Sequence, residues 1–336
     1  MRRSATIADV AERAGVGPST VSRVLNDGQV SGKARARVVA AINDLNYRPR
    51  ASARALVTGS TATLSLVIPF FTHPSAVERV RGVLAAIDAT DYDLVLCNVN
   101  NVGQRDEYLG RGAPLDRSDG MLVVSIAPRD DELDAFVRAG AAVVVLDAFH
   151  PRLPCLRIDD VAGGVLATRH LIELGHARIA FLGDRPEPGL GFVSSDRRRD
   201  GYRHALQEAG LPVLPELQRT GPHGREVALR LTTELLTLDE PPTAIFAASD
   251  TQALGVLEAA SFEGFSVPDD LSVVGFDDVE VAPYVGLTTV HQPLAESGRR
   301  AVERLVGLMA DEGTQPHEER LELTLKVRRT TGPPPE

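Results

Sequence analysis

Apolar residues recur along this chain with two different periods, and the change near residue 60 divides it. Before that point Ile7, Val10, Ala11 and Ala14 fall at i, i+3, i+4 and i+7, the spacing of one helix face. Thr6 precedes them as an N-cap, Asp9 puts negative charge in the first turn, and Gly15 ends the helix. Gly17 as the next N-cap and Pro18 at the first helical position predict a second helix over 18–26. It buries Val21, Val24 and Leu25 and leaves Ser19, Ser22 and Arg23 outside. Asn26-Asp27-Gly28 reads as a turn. A third helix over about 32–45 buries Val38, Val39, Ile42 and Leu45.

From residue 61 the pattern changes to short apolar runs separated by helical stretches. "TLSLVIP", "DLVLCNV", "GMLVVSI" and "AAVVVLDA" read as buried strands, and "RIAFLGD", "TAIFAAS", "LSVVGFDD" and "LELTLKV" make a second series. Helical patterns lie between them, for example over 161–174, 197–209, 226–236 and 251–263. Strand alternating with helix predicts doubly wound parallel sheets, and two such series predict two lobes. The fold class is therefore a small all-α helix-turn-helix head followed by an α/β body. In such sheets ligands bind at the carboxyl ends of the strands. The polar residues there are Ser125 after "LVVS", Asp147 after "VVVLD", Ser249 and Asp250 after "IFAAS", and Asp277 in "VVGFDD". Capping or loop hydrogen bonding is the competing role for each.

Charge sharpens the division. The chain carries a net −10, yet residues 1–60 hold ten Lys/Arg against four Asp/Glu, a balance of +6 that leaves −16 for the rest. A basic head on an acidic body points to a polyanion met by the head alone. A recognition helix enters the major groove by its N-terminal end, which explains the short hydroxyl side chains at the start of "PSTVSRVL". Hydroxyls and free N–H groups hold phosphates, and one arginine pairs with guanine. No apolar run is long enough to span a membrane and no secretory segment is evident, so a cytoplasmic protein is expected. Cys97 and Cys155 form no CxxC pair, which argues against a disulfide framework or a zinc site. "GQVSGKA" imitates a phosphate-binding loop, but only three residues separate its glycines, and alanine replaces the metal-binding hydroxyl.

"TIADVAERAGVGPSTVSRVLND", continuing through "VSGKARARVVAAINDLNYRPRASARAL", resembles the headpiece of the lactose/galactose repressor family of bacterial transcription regulators. The resemblance implies that Ser19 and Arg23 face bases, with Pro18 at the reading edge and Thr20 among the contacts. It implies that Thr6, Ser22, Asn26 and Ser31 hold the DNA backbone. Gly17 stands where the family usually has a serine cap, and Arg50 where it most often has asparagine. "ARAL" matches the family's hinge motif, whose paired helices in the minor groove insert a leucine wedge. That residue is Leu56 here, with Ala53 allowing close approach. The division implied is a headpiece over 1–48, a hinge over 49–60 and a two-lobed, periplasmic-binding-protein-like body over 61–336. Lobe one takes about 61–160 and 291–320, lobe two about 161–290 and 321–331.

The same resemblance places Arg198 at the effector-binding arginine, His223 where relatives often have an aromatic residue, and His73 where a small polar residue is common. With Asp277 opposite it in the lobe-two wall of the cleft, Arg198 suits vicinal hydroxyls or a carboxylate. The motifs searched for catalysis, GxSxG, HExxH and CxxC, do not occur, and no catalytic, cofactor or metal site is expected. A DNA-packing protein and a free-standing periplasmic binding protein fit the head and body less well. The expectation is a homodimeric repressor, bound to a double-stranded operator of dyad symmetry and released by a small-molecule inducer, probed first as a sugar or sugar derivative. The alternative is a corepressor-dependent regulator sensing a nucleobase or nucleoside. The chain has no Trp, a frequent stacking partner of sugar rings.

Overall fold

Thr6 and Asp9 close the first helix reciprocally. The Asp9 amide donates to Thr6 Oγ1 at 3.3 Å, and the Thr6 amide donates to the Asp9 carboxylate at 2.7 Å. This capping box starts α1 (Ile7–Ala14), which ends at Gly15 in the left-handed conformation with φ 60°. Helices α2 (Pro18–Leu25) and α3 (Gly32–Leu45) follow. Val10, Ala14, Val21, Val24, Val38 and Ala41 form their shared core, closed by Tyr47. Val39, expected inside, is exposed at 45%. One residue past Val38 it is turned about 100° from the face that Val38, Ala41, Ile42 and Leu45 share. An Arg13–Asp44 ion pair at 2.9 Å and a hydrogen bond from Arg37 to the Gly15 carbonyl at 3.0 Å tie α3 back to α1 and its turn.

The computed structural model describes residues 5–25, 28–45, 47, 60–185, 188–310 and 317–336. The chain divides into two compact units, Met1–Ala62 and Thr63–Glu336. Counting helices of eight residues or more, the larger unit runs β1 (Thr63–Pro69), α4 (Pro74–Ile87), β2 (Asp93–Val99), β3 (Gly120–Val124), α5 (Asp130–Arg138), β4 (Ala142–Leu146) and β5 (Cys155–Arg157). It continues with α6 (Asp160–Glu173), β6 (Ile179–Asp184), α7 (Ser194–Glu208), β7 (Gln218–Gly221), α8 (Arg225–Leu236), β8 (Ala244–Ala247), α9 (Asp250–Glu263) and β9 (Ser272–Asp277). The last elements are β10 (Thr288–His291), α10 (Leu294–Met309), β11 (Glu318–Arg320) and β12 (Thr324–Lys326).

Two six-stranded sheets result, ordered β11-β5-β4-β3-β1-β2 and β12-β10-β9-β8-β6-β7. Each sheet is parallel apart from the antiparallel β10–β12 pair. Each has an apolar cluster on both faces, which is why its central strands read as unbroken hydrophobic runs. The chain crosses between the lobes three times, after β5, β10 and β11. Among the described residues no helix is long and apolar enough to cross a membrane.

Candidate functional site

On the headpiece, α2 turns Val21 and Val24 inward and leaves Pro18, Ser19 and Arg23 exposed. Ser22 is half-buried on the same side of the helix, and Thr20 is half-buried at the edge of the apolar side. The Arg23 guanidinium makes no hydrogen bond among the described residues, so its five donors are available to a partner. Thr6 and Ser31 are exposed, but both hydroxyls also serve the fold. Thr6 caps α1, and Ser31 Oγ accepts the Ala34 amide at 3.3 Å at the start of α3. Asn26, Arg50, Ala53 and Leu56 lie outside the described residues.

In the larger unit a cavity of about 280 Å³ lies at the carboxyl ends of the strands of both sheets. His73, Ser125, Asp147, Arg198, His223, Ser249 and Asp277 all line it. Backbone strain marks the same place. Phe70 (φ 42°), Ser125 (57°), Asp147 (60°) and Asp277 (117°) hold positive φ values that side-chain-bearing residues rarely adopt, and each follows or ends a strand at the cavity.

Asp250 is not among the lining residues. Fully buried, it accepts from Thr289 Oγ1 at 2.5 Å and from the Val279 amide at 2.9 Å, fastening β10 and the loop after β9 to the start of α9. Its expected ligand role gives way to this structural one: a helix-start carboxylate that turns inward finds the unpaired donors of neighbouring segments. Ser249 borders the cavity, but its hydroxyl caps α9 by accepting the Gln252 amide at 3.2 Å.

One buried arginine comes from each lobe. Arg79 on α4 donates to Asp147 at 3.1 Å, to Ser297 at 3.3 Å and to Gln292 at 3.4 Å. Arg198 on α7 donates to Asp160 at 2.9 Å and to the Ala248 carbonyl at 2.6 Å, with Asp277 3.7 Å away. Its guanidinium carbon sits 3.6 Å from the centre of the Phe276 ring, a cation–π contact. Gln292 joins the two halves by donating to Asp277 at 2.5 Å. A continuous polar line therefore runs Asp147, Arg79, Gln292, Asp277, Arg198, Asp160. Burial raises the Asp277 carboxyl to about 6, against the pull of Arg198 and of the Gln292 hydrogen bond.

Rings form another wall. Phe192 tilts on Phe70 at 5.9 Å, Phe70 stacks on His73 at 5.1 Å, and His73 stacks on His223 of the opposite lobe at 4.5 Å. Burial, then the neighbouring His223, lowers His73 to about 4. For His223 burial works the same way, but the hydrogen bond its Nδ1 donates to the Asp184 carboxylate at 3.1 Å, and that carboxylate's charge, prevail and raise it.

Arg79, Gln292, Asp184, Phe70 and Phe192 escaped the sequence reading. Arg79 carried a usable signal, since it occupies the inward face of α4 with Ala76, Val83 and Ala86. A charge on an apolar stripe needs a buried partner.

The model for bacterial regulatory proteins of the lacI family matches residues 6–50, and the periplasmic binding protein-like domain matches residues 168–331. The HTH-type transcriptional repressor PurR of Photobacterium profundum is 36% identical over 325 residues, covering 94% of this chain and 95% of its own. The ribose operon repressor of Escherichia coli is 35% identical over 328 residues, covering 95% and 97%. This chain belongs to the lacI family. Two solved transcription regulators span nearly all of the chain. The lac repressor dimer bound to operator and the anti-inducer ONPF has a TM-score of 0.81 at 28% identity, covering 98% of this chain and 100% of its own. The transcriptional regulator CelR–cellobiose complex has a TM-score of 0.72 at 32% identity, covering 97% and 99%. The chain is thus a DNA-binding transcriptional regulator whose body is an effector-binding domain.

Proposed function

We propose that this protein is a cytoplasmic, homodimeric repressor whose cavity takes a compact polyhydroxylated effector, a sugar or sugar derivative, as an inducer. The observation that carries the reading is the cavity itself, with one buried arginine from each lobe and Asp147 and Asp277 beside them. Arginine forks donate and carboxylates accept, so together they match the paired hydroxyls of a sugar. The ring wall supplies an apolar face despite the absence of Trp. That wall fits a nucleobase equally well, which keeps nucleobases and nucleosides in the test. Ser19 and Arg23 read bases from α2, and Pro18, Thr20 and Ser22 pack along the groove. Thr6, Asn26, Ser31 and Arg50 hold the backbone, and Ala53 and Leu56 act at the hinge. Exposed apolar side chains suit a dimer face: Leu84 on α4, Val95 and Leu96 on the edge strand β2, and Phe262 and Tyr284 in the other lobe.

Calorimetry of the full chain against monosaccharides, sugar phosphates, nucleosides and nucleobases, with operator binding measured in parallel, tests this. One class is expected to bind and weaken operator affinity. Arg198→Ala should lose that effector by roughly a hundredfold while retaining operator binding. Unchanged effector affinity in both Arg198→Ala and Asp277→Ala removes the cavity from consideration.

A further inference from the structure

Leu190 belongs to lobe two in sequence but not in packing. It lies between β6 and α7, yet it is 3% exposed within an apolar cluster otherwise built from lobe one, including Leu109, Leu133 and Phe136. Two glycines flank it with φ values of 82° and 80°, a conformation that lets the chain reach across and return. At Gly189 the backbone passes so close to Val102 of lobe one that a Cβ would stand 2.9 Å from its methyl carbon. Two residues after Leu190, Phe192 lines the cavity and rests on Phe70. Leu190 is thus an anchor, and Phe192 is a wall whose position the anchor fixes.

We propose that this crossing strap sets the size of molecule the cavity admits. Leu190 holds Phe192 in place, and a ligand longer than a single ring enters only when Leu190 leaves lobe one. The inference rests on reading the cavity as the effector site, and it names the class of effector as one compact ring. Among the described residues Phe192 is the other lobe-two side chain packed against that lobe-one cluster, so passage of a longer molecule requires both to part from lobe one. Burial of one leucine thus biases the equilibrium between strapped and released forms.

The test needs no identified effector. Ala76, 8% exposed, lines the cavity from α4, and Ala76→Cys places a thiol there. The full-length variant is labelled with benzyl methanethiosulfonate, which carries one ring, and with the two-ring biphenylmethyl reagent, and the ratio of the two rates is read. The parent protein, whose Cys97 and Cys155 are both buried, supplies the background. With Leu190 intact the two-ring reagent should lag far behind. Adding Leu190→Ala should raise its relative rate roughly tenfold or more, because the anchor's contacts are lost only from the strapped form. Leu190→Val, the milder truncation, should fall between, and Leu190→Met should restore the lag. A ratio that stays the same from Leu190 through Val to Ala overturns the proposal. The effector screen fails or succeeds separately, since it reads heat of binding and not reagent size.

Discussion

Burial leaves the Asp277 carboxyl titrating at about 6, within reach of ordinary buffers. An effector hydroxyl that donates to Asp277 needs the ionised form, so effector affinity should fall as pH drops from 7 to 5, and Asp277→Asn should flatten that profile. Calorimetry across the range checks it, and an identical slope in the variant removes Asp277 from contact. The sign for folding is opposite. A carboxyl raised above its usual 3.8 favours the folded state as it takes up its proton, so this group adds stability as pH falls from about 6 toward 3.8. His73, lowered from 6.5 to about 4, subtracts stability over its own window as pH falls between those values. Asp250 invites a different test. Its loss leaves Thr289 and the Val279 amide without their acceptor, so Asp250→Ala should cost roughly 3–5 kcal/mol in denaturant melts. At this scale sequence could find polar residues after strands but could not separate Asp250 from Asp277. Both stand at or just past the end of a strand, and only the direction each carboxylate turns distinguishes a ligand contact from an internal fastening.

The arginines are positioned by helices, and the helices by glycines. In lobe one a Cβ on Gly298 of α10 would lie 2.2 Å from the Arg79 carbonyl oxygen. In lobe two a Cβ on Gly164 of α6 would lie 2.2 Å from that of Arg198. Each cavity arginine therefore sits on a long helix at a point where the backbone of a neighbouring helix comes close. Gly298→Ala and Gly164→Ala should each force that crossing apart, at a cost of about 1–3 kcal/mol. Each should also weaken effector binding although neither residue touches the cavity. Thermal melts and calorimetry together check this, and full effector affinity in a folded Gly164→Ala would show that Arg198 is held by its own hydrogen bonds alone. The long buried strands and the helices between them were legible because a strand covered on both faces has to be apolar throughout. The short strands β5, β7 and β11 were not, being three or four residues long with mixed polarity. "DVAGGVLATRH" showed two glycines in a helix, but their use became visible only once α7 lay against Gly164 and the Phe276 ring against Gly163.

Across the whole molecule the charges are sorted by task. Residues 1–60 carry +6 and the remainder −16, and the ion pairs of the body lie largely among its own side chains. An acidic body repels DNA at long range, which leaves the head to supply the attraction and keeps unspecific association low. If the dimer neutralises about eight phosphates, the logarithm of operator affinity should fall against the logarithm of salt with a slope near −7. Arg23→Ala should cost roughly 1–3 kcal/mol at one base pair of the operator while changing binding to unrelated DNA little, since a base-edge contact discriminates and a phosphate contact does not. Effector and operator must also affect each other equally: whatever factor the effector takes from operator affinity, operator DNA takes from effector affinity. Filter binding over a salt series, with operator and unrelated duplexes side by side, measures the first two. A slope near zero, or equal losses on both duplexes in Arg23→Ala, would mean that α2 does not carry the reading of sequence.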